Sequence, residues 1–369
     1  MSVAKYESIR DSLRDWISRT REPGEAIPGQ ADLAKRYGVS LMTARRAVSE
    51  LVEDGLLVRS HGRRTVVASP HEPRRRKGST GATILILNGG GVAVFEKLAV
   101  RLQKELAARG HTCALSDFDY FSPGRPGAAE EDIDRALRAT RPDAIVCGQV
   151  SHMWDEISGA MAGVKCPVVY TQCYRPVPAS FVTVNMGEAA YLGALHLRQA
   201  GCRRIRYYGP KDRPGDWSWH RYSGLRRYLA EYEPGLALED FCVETGYFAD
   251  PACKTALAEF AAGRVPDGIL ASNDFVAIGV MMAARERGIR IPDDLAVVGM
   301  DDISAAAASS PPLTTIAQPT DEVAREVTRI LQAVLNGDTS RHQVVVSPRL
   351  VVRGSTVPAD ALAPVGGAR

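Results

Sequence analysis

The chain has no closely spaced cysteine pair: its seven cysteines, Cys113, Cys147, Cys166, Cys173, Cys202, Cys242 and Cys253, are odd in number, scattered and free of C-x-x-C. That argues against a disulfide framework or a thiolate metal site and predicts reduced thiols packed as small hydrophobes, as in cytosol. Long apolar runs are missing too. The opening MSVAKYESIRDSLRDW has no signal-peptide core, and nothing after it is long enough to cross a bilayer, so a soluble, cytoplasmic protein with no membrane partner is expected. H-E-x-x-H, G-x-S-x-G and a phosphate loop are likewise absent. The glycines of NGGGVAVF (88–95) lack the G-x-G-x-x-G spacing of a dinucleotide fingerprint and suit a turn near a ligand cleft. A catalytic role has no residues to rest on, and no cofactor is implied.

Net charge is also small, +3 over 369 residues that are 45% hydrophobic, enough for two or three domains with substantial cores. Its distribution is uneven. The first 77 residues carry 16 Lys and Arg against 10 Asp and Glu, a net of +6, which leaves 30 against 33, a net of −3, for the remainder. A positive head on a negative body is expected where the head meets a polyanion.

Within that head, Tyr6, Ile9, Leu13, Trp16 and Ile17 recur at helical spacing, and Pro23-Gly24 ends the pattern. A short helix from Gln30 to Tyr37 follows, with Leu33, Ala34 and Tyr37 inward. Gly38 suits its stop, and Ser40 suits the N-cap of a third helix. Ala44, Val48 and Leu51 make the apolar side of that helix, leaving Thr43, Arg45 and Arg46 near its N-terminus for solvent or a ligand. This is the layout of a helix-turn-helix recognition helix. LLVRSHGRRTVV then predicts two short strands around a basic turn at His61, Gly62, Arg63 and Arg64, completing an α+β winged helix.

Tyr6, Ile9, Pro23-Gly24, Pro28, Leu33-Ala34, Gly38-Val39-Ser40, Thr43, Arg45, Leu51 to Leu57 with Gly55, and Thr65-Val66 together resemble the DNA-binding head of the GntR family of bacterial repressors. The resemblance implies that Ser40, Thr43, Arg45, His61 and Gly62 contact double-stranded operator DNA. Two positions depart from that family: Gln30-Ala31 replaces an acidic residue followed by arginine, and Leu41 replaces an arginine after the capping residue. Arg46, Arg63 and Arg64 are candidates for replacement phosphate contacts, with idle surface charge the competing explanation for each.

Pro70 to Ala82, PHEPRRRKGSTGA, is rich in proline, glycine and charge and is expected to be a linker. The boundaries expected are a head at 1–69, a linker at 70–81 and a larger domain at 82–369. Beyond it, TILILN, PDAIVCG, PVVYTQ, IRYYG, PDGILASND and AVVGMDD alternate with helical patterns, the signature of parallel α/β sheets. Segments 136–148 and 257–274 share a helix, a Pro-Asp turn and a buried strand, which suggests two similar lobes with a cleft between them. Ligands in such sheets sit beyond the carboxyl ends of strands. That rule picks out Asn273 and Asp301; Asp274 and Asp302 beside them are expected to be loop formers or helix caps.

The run ASNDFVAIGVMMAARERGIRIPDDLAVVGMDD, then SSPPLTTIAQP and SPRLVVRGST, resembles the effector domain of LacI/GalR repressors, a relative of type I periplasmic sugar-binding proteins. The resemblance implies that Arg221, Asn273 and Asp301 hydrogen-bond a small effector, often through sugar hydroxyls, to which an arginine fork and short polar side chains are suited. It also implies a homodimer paired through helices near 95–109 and 275–288. Gln172 and Asn185 stand where aspartate is usual, implying a changed ligand. Trp217, in GDWSWHRYSG, is a candidate for stacking on a sugar ring, with packing in the lobe the competing explanation. The two resemblances together match the arabinose-repressor group, so the expectation is a DNA-binding transcriptional repressor controlled by a carbohydrate-like effector. A cytosolic sugar-binding protein, or a carbohydrate enzyme with a docking head, is the alternative.

Overall fold

The computed structural model describes residues 10, 12, 14, 15, 25–53, 56–59, 65–67, 81–89, 93–118, 128–148, 154–173, 177, 179–210 and 217–357. Most of the expected first helix, the basic turn at 61–64 and linker residues 70–80 lie outside the described residues.

In the head, the helix Gln30–Tyr37 stops where Gly38 takes a left-handed φ of 63°, a conformation that a side chain would strain, and the Gly38 and Val39 amides both return to the Ala34 carbonyl. Two residues later Ser40 Oγ accepts from the Thr43 amide at 3.1 Å, opening the helix Leu41–Glu53 as its N-cap. Ala44, Ala47, Val48 and Leu51 recur at i, i+3, i+4 and i+7 and are fully buried with Leu33, Ile27, Leu57 and Val67. Strands β1 (Leu57–Arg59) and β2 (Thr65–Val67) pair antiparallel as the wing, Leu57 opposite Val67. The sequence did not reveal a third edge: the Ile27 amide donates to Thr65 O, the Val67 amide donates to Glu25 O, and Ala26 bridges Val66.

The larger domain contains β3 (Thr83–Gly89), β4 (Thr112–Phe118), β5 (Ala144–Gly148), β6 (Val168–Thr171), β7 (Ser180–Val184), β8 (Ile205–Gly209), β9 (Cys242–Glu244), β10 (Gly268–Ala271), β11 (Ala296–Asp301), β12 (Thr314–Ala317), β13 (Gln343–Val346) and β14 (Arg349–Val351). They form two six-stranded sheets, β13-β7-β6-β5-β3-β4 in the first lobe and β14-β12-β11-β10-β8-β9 in the second. Strand β3 is covered on both faces: Ile84 and Ile86 join one apolar cluster, and Leu85 and Leu87 the other, so it reads as a continuous apolar run. Asp143 and Asp267 perform the same task in the two lobes. Asp143 accepts from the Thr83 amide at 2.7 Å and returns its own amide to Thr83 O; Asp267 accepts from the Arg203 and Arg204 amides and returns its amide to Arg204 O.

The chain passes between lobes three times, after β7, β12 and β13. The first two passages lead into the helices Met186–Gln199 and Thr320–Leu335, which carry the chain to the far end of the next sheet, so the strand that follows runs parallel to the rest. Only Ser347 and Pro348 separate β13 from β14, so the chain enters the second lobe from the cleft side and β14 must run antiparallel to β12. One antiparallel edge strand thus joins sheets that are otherwise parallel, as expected. All seven cysteines are free, but only four are buried; Cys113, Cys242 and Cys253 are half-buried. Burial pushes the Cys166 thiol up to about 11, which keeps it unreactive.

Candidate functional site

Three of the expected residues meet in one buried polar cluster, two of them at strand ends and the third, Arg221, on a helix. Gln172 follows β6 with a left-handed φ of 53° and is almost inaccessible. Its Nε2 donates to Gln318 Oε1 at 2.9 Å, and Gln318 Nε2 donates in turn to Asp301 Oδ1 at 2.6 Å. Arg221 lies beside Asp301, its Nη2 4.0 Å from the same oxygen and its Nε donating to Met300 Sδ at 3.1 Å. Gln172 belongs to the first lobe, Asp301 and Arg221 to the second, and Gln318 to the passage between them. Gln318 was not among the residues expected from sequence. It follows β12 directly, so the rule that found Asp301 finds it as well.

Arg221 and Asp301 are both largely buried, at 3% and 12% side-chain exposure. Burial raises the Asp301 carboxyl, while Arg221 and the Gln318 amide hold it down. At 4.0 Å the pair faces without forming a locked fork, which leaves donors and acceptors of both signs close together.

The neighbouring polar positions are tied into the fold by their own bonds. Asn273 is the N-cap of the helix Asp274–Glu286: Oδ1 accepts from the Val276 amide at 2.8 Å and Nδ2 donates to Tyr247 O at 3.0 Å. With those two bonds made, one N–H and one lone pair of the side-chain amide remain for a ligand. Asp274 is not a cap but a buried carboxyl, accepting from Thr315 Oγ1 at 2.6 Å and from the Ile303 amide at 2.9 Å. Burial and the nearby Asp301 push it up to about 8. Asp302 is neither a cap nor an idle loop residue, because it pairs with Arg353 at 2.6 Å. Asn185 caps the helix Met186–Gln199 by accepting from the Glu188 amide. Trp217 opens the helix Trp217–Tyr232, which carries Arg221 one turn on; the Trp217 side chain lies outside the described residues.

A cavity of about 400 Å³, lined by Arg203, Arg204, Arg206, Tyr232 and Gly235 among others, opens at the start of β8, away from the strand ends that carry the polar chain. It touches one lobe only. A ligand there has no direct contact with which to favour one lobe arrangement over another, whereas the polar chain reaches both lobes.

In the head, Ser40 Oγ and Thr43 Oγ1 lie 2.8 Å apart at the start of the Leu41–Glu53 helix. Arg45 is exposed with no carboxylate partner among the described residues. Arg46 pairs with Glu50 at 3.7 Å, which competes with a phosphate contact. His61, Gly62, Arg63 and Arg64 lie outside the described residues. Among the described residues no group of side chains could hold a metal ion, and no helix is long and apolar enough to cross a membrane.

A winged helix-turn-helix with an exposed arginine on the helix that its capped turn opens, joined to two α/β lobes that share a buried polar chain, defines a ligand-responsive DNA-binding regulator. Comparison with known proteins is consistent with that class. The model of the bacterial regulatory proteins of the gntR family matches residues 5–67, and that of the periplasmic binding protein-like domain matches 194–356. The ribose operon repressor of Halalkalibacterium halodurans is 36% identical over 339 residues, covering 88% of this chain and 96% of the relative. The arabinose metabolism transcriptional repressor of Geobacillus stearothermophilus is 23% identical over 366 residues, covering 96% and 98%. A solved transcriptional regulator of the LacI family from Sanguibacter keddieii superposes with a TM-score of 0.62 at 26% identity, covering 75% of this chain and 99% of that one. The chain belongs to the LacI-type transcriptional regulators, with a head of the gntR type.

Proposed function

We propose that this protein represses transcription by binding operator DNA as a cytoplasmic homodimer, and that a sugar or sugar derivative held between the lobes weakens that binding. The observation that carries the reading is the polar chain Gln172–Gln318–Asp301 with Arg221, because it joins both lobes through groups that match hydroxyls. A ligand shifts a conformational equilibrium only through contacts that differ between its states, and contacts reaching both lobes satisfy that condition. Relatives named for ribose and arabinose operons support a pentose-sized polyol. In this reading residues 1–69 bind DNA through Ser40, Thr43, Arg45 and the wing, 70–81 tether the head, and 82–369 sense the ligand. Arg221, Asp301, Gln172 and Gln318 hold the effector, Asn273 contributes its remaining N–H, and the protein acts by binding alone.

The experiment is a thermal-shift screen of pentoses, hexoses and their phosphates, since a ligand at a hundredfold its Kd stabilises by about 2.7 kcal/mol. The hit is then titrated into an operator complex. Asp301 has a positive φ of 105°, so Asp301→Asn is the informative variant: asparagine tolerates such backbone better than alanine. Asp301→Asn should keep operator affinity without ligand and lose the response. A variant that responds at the wild-type ligand concentration places the effector elsewhere.

A further inference from the structure

The first turn of the Leu41–Glu53 helix exposes two large apolar side chains side by side, Leu41 at 56% and Met42 at 72%. One exposed leucine needs no explanation. Here two are adjacent, on a helix whose apolar side is already complete in Ala44, Ala47, Val48 and Leu51. Their i+3 and i+4 neighbours on the open face are the exposed Arg45 and Arg46, so neither has an apolar partner there. The capped Ser40–Thr43 turn fixes the direction in which the helix presents them.

On the reading that this helix enters the major groove, its N-terminal residues face base edges. Those edges are hydrogen-bonding groups with one apolar exception, the 5-methyl of thymine. Leucine or methionine pressed on a polar edge strips water from donors and acceptors and returns nothing. Against a thymine methyl, apolar surface leaves water on both sides. We infer that Leu41 and Met42 are specificity-determining residues that read thymine 5-methyl groups in the operator, beside the guanine whose O6 and N7 suit the Arg45 fork. Losing the arginine usual after the capping residue thus exchanges a charged contact for an apolar one.

The inference rests on the recognition-helix reading, and one experiment separates them. Half-sites are selected from a randomised duplex pool with the full-length protein, and each thymine is then replaced by deoxyuridine, which removes only the methyl. At fixed salt the wild type should lose about fourfold in affinity at one or two thymines per half-site, the equivalent of about 0.8 kcal/mol. Leu41→Ala or Met42→Ala should show no loss at the same thymine. Half-sites without thymine beside the guanine, or equal losses in wild type and both variants, overturn the inference. So does a changed sedimentation coefficient in these variants with operator affinity intact, which would assign the pair to a protein contact. If Arg45→Ala leaves sequence preference unchanged, the recognition-helix reading itself fails. If Arg45→Ala relaxes preference while deoxyuridine has no effect, only the methyl contact fails.

Discussion

Asp274 is buried against Thr315 and Ile303, and its two oxygens accept from both. Its carboxyl lies at about 8 in the fold and near the ordinary carboxylate value in the unfolded chain, so the folded protein retains a proton that the unfolded one gives up. The stabilising contribution is therefore fully present below the unfolded value and is lost as pH rises through about 8. Urea unfolding of the second lobe at pH 6 and pH 9 should show the loss in the wild type. Asp274→Asn should flatten it, because an amide does not titrate: its oxygen still accepts from the Ile303 amide, and the Thr315 hydroxyl, which donates to the carboxyl, turns to accept from the amide nitrogen. An equal pH dependence in the variant would mean that Asp274 is ionised in the fold. Gly299 belongs to the same arrangement, since a Cβ there would lie 2.2 Å from Asp274 Oδ1. At this scale the sequence places these residues after their strands but does not show which bonds they make. Asparagine and aspartate after a strand suit a cap, a buried link and a ligand contact equally, and only tertiary packing assigned Asn273 to the first and Asp274 to the second.

The helix Leu41–Glu53 was legible because capping residue, apolar period and preceding glycine all agree within a short segment, and each acts locally. The wing's third edge at Glu25–Ile27 and the reversed β14 were not, because both depend on where distant chain arrives. The cap supplies a prediction of its own. Ser40→Ala should cost about 1 kcal/mol and speed hydrogen exchange at the amides of residues 42–44, whereas Ser40→Asp keeps an acceptor for the Thr43 amide and should preserve their protection. Both should weaken operator binding if Ser40 also meets DNA, the aspartate more strongly through repulsion from phosphate. Unchanged exchange in Ser40→Ala would show that the turn is held by other contacts.

Across the whole molecule, the helix Asp274–Glu286 is apolar enough in sequence to supply either a dimer surface or core packing. Most of that apolarity is core: Val276, Ala277, Val280, Met281, Ala283 and Ala284 are buried, packed with Ala252, Ala256 and Phe260 of the helix Ala249–Ala261. What remains outside on that helix is Met282; the other exposed large apolar side chains of the lobes are Phe248 and Val352 in the second and Val100, Leu115 and Val345 in the first. The first lobe offers Val100 on the helix Ala93–Ala107 and Leu115 on β4, an edge strand that still has backbone groups to pair. If the homodimer pairs through both lobes, moving one lobe against the other within a protomer displaces part of the interface and the recognition helices with it. Val100→Glu and Met282→Glu, each placing a charge among exposed apolar groups, should give monomers in sedimentation at micromolar concentration. Operator affinity should fall by about 10²-fold or more as the second head loses its effective concentration. Ligand affinity should survive in both, because the polar chain lies within one protomer. If only Val100→Glu dissociates the dimer, pairing runs through the first lobe alone, and lobe closure would have to reach the heads by another route.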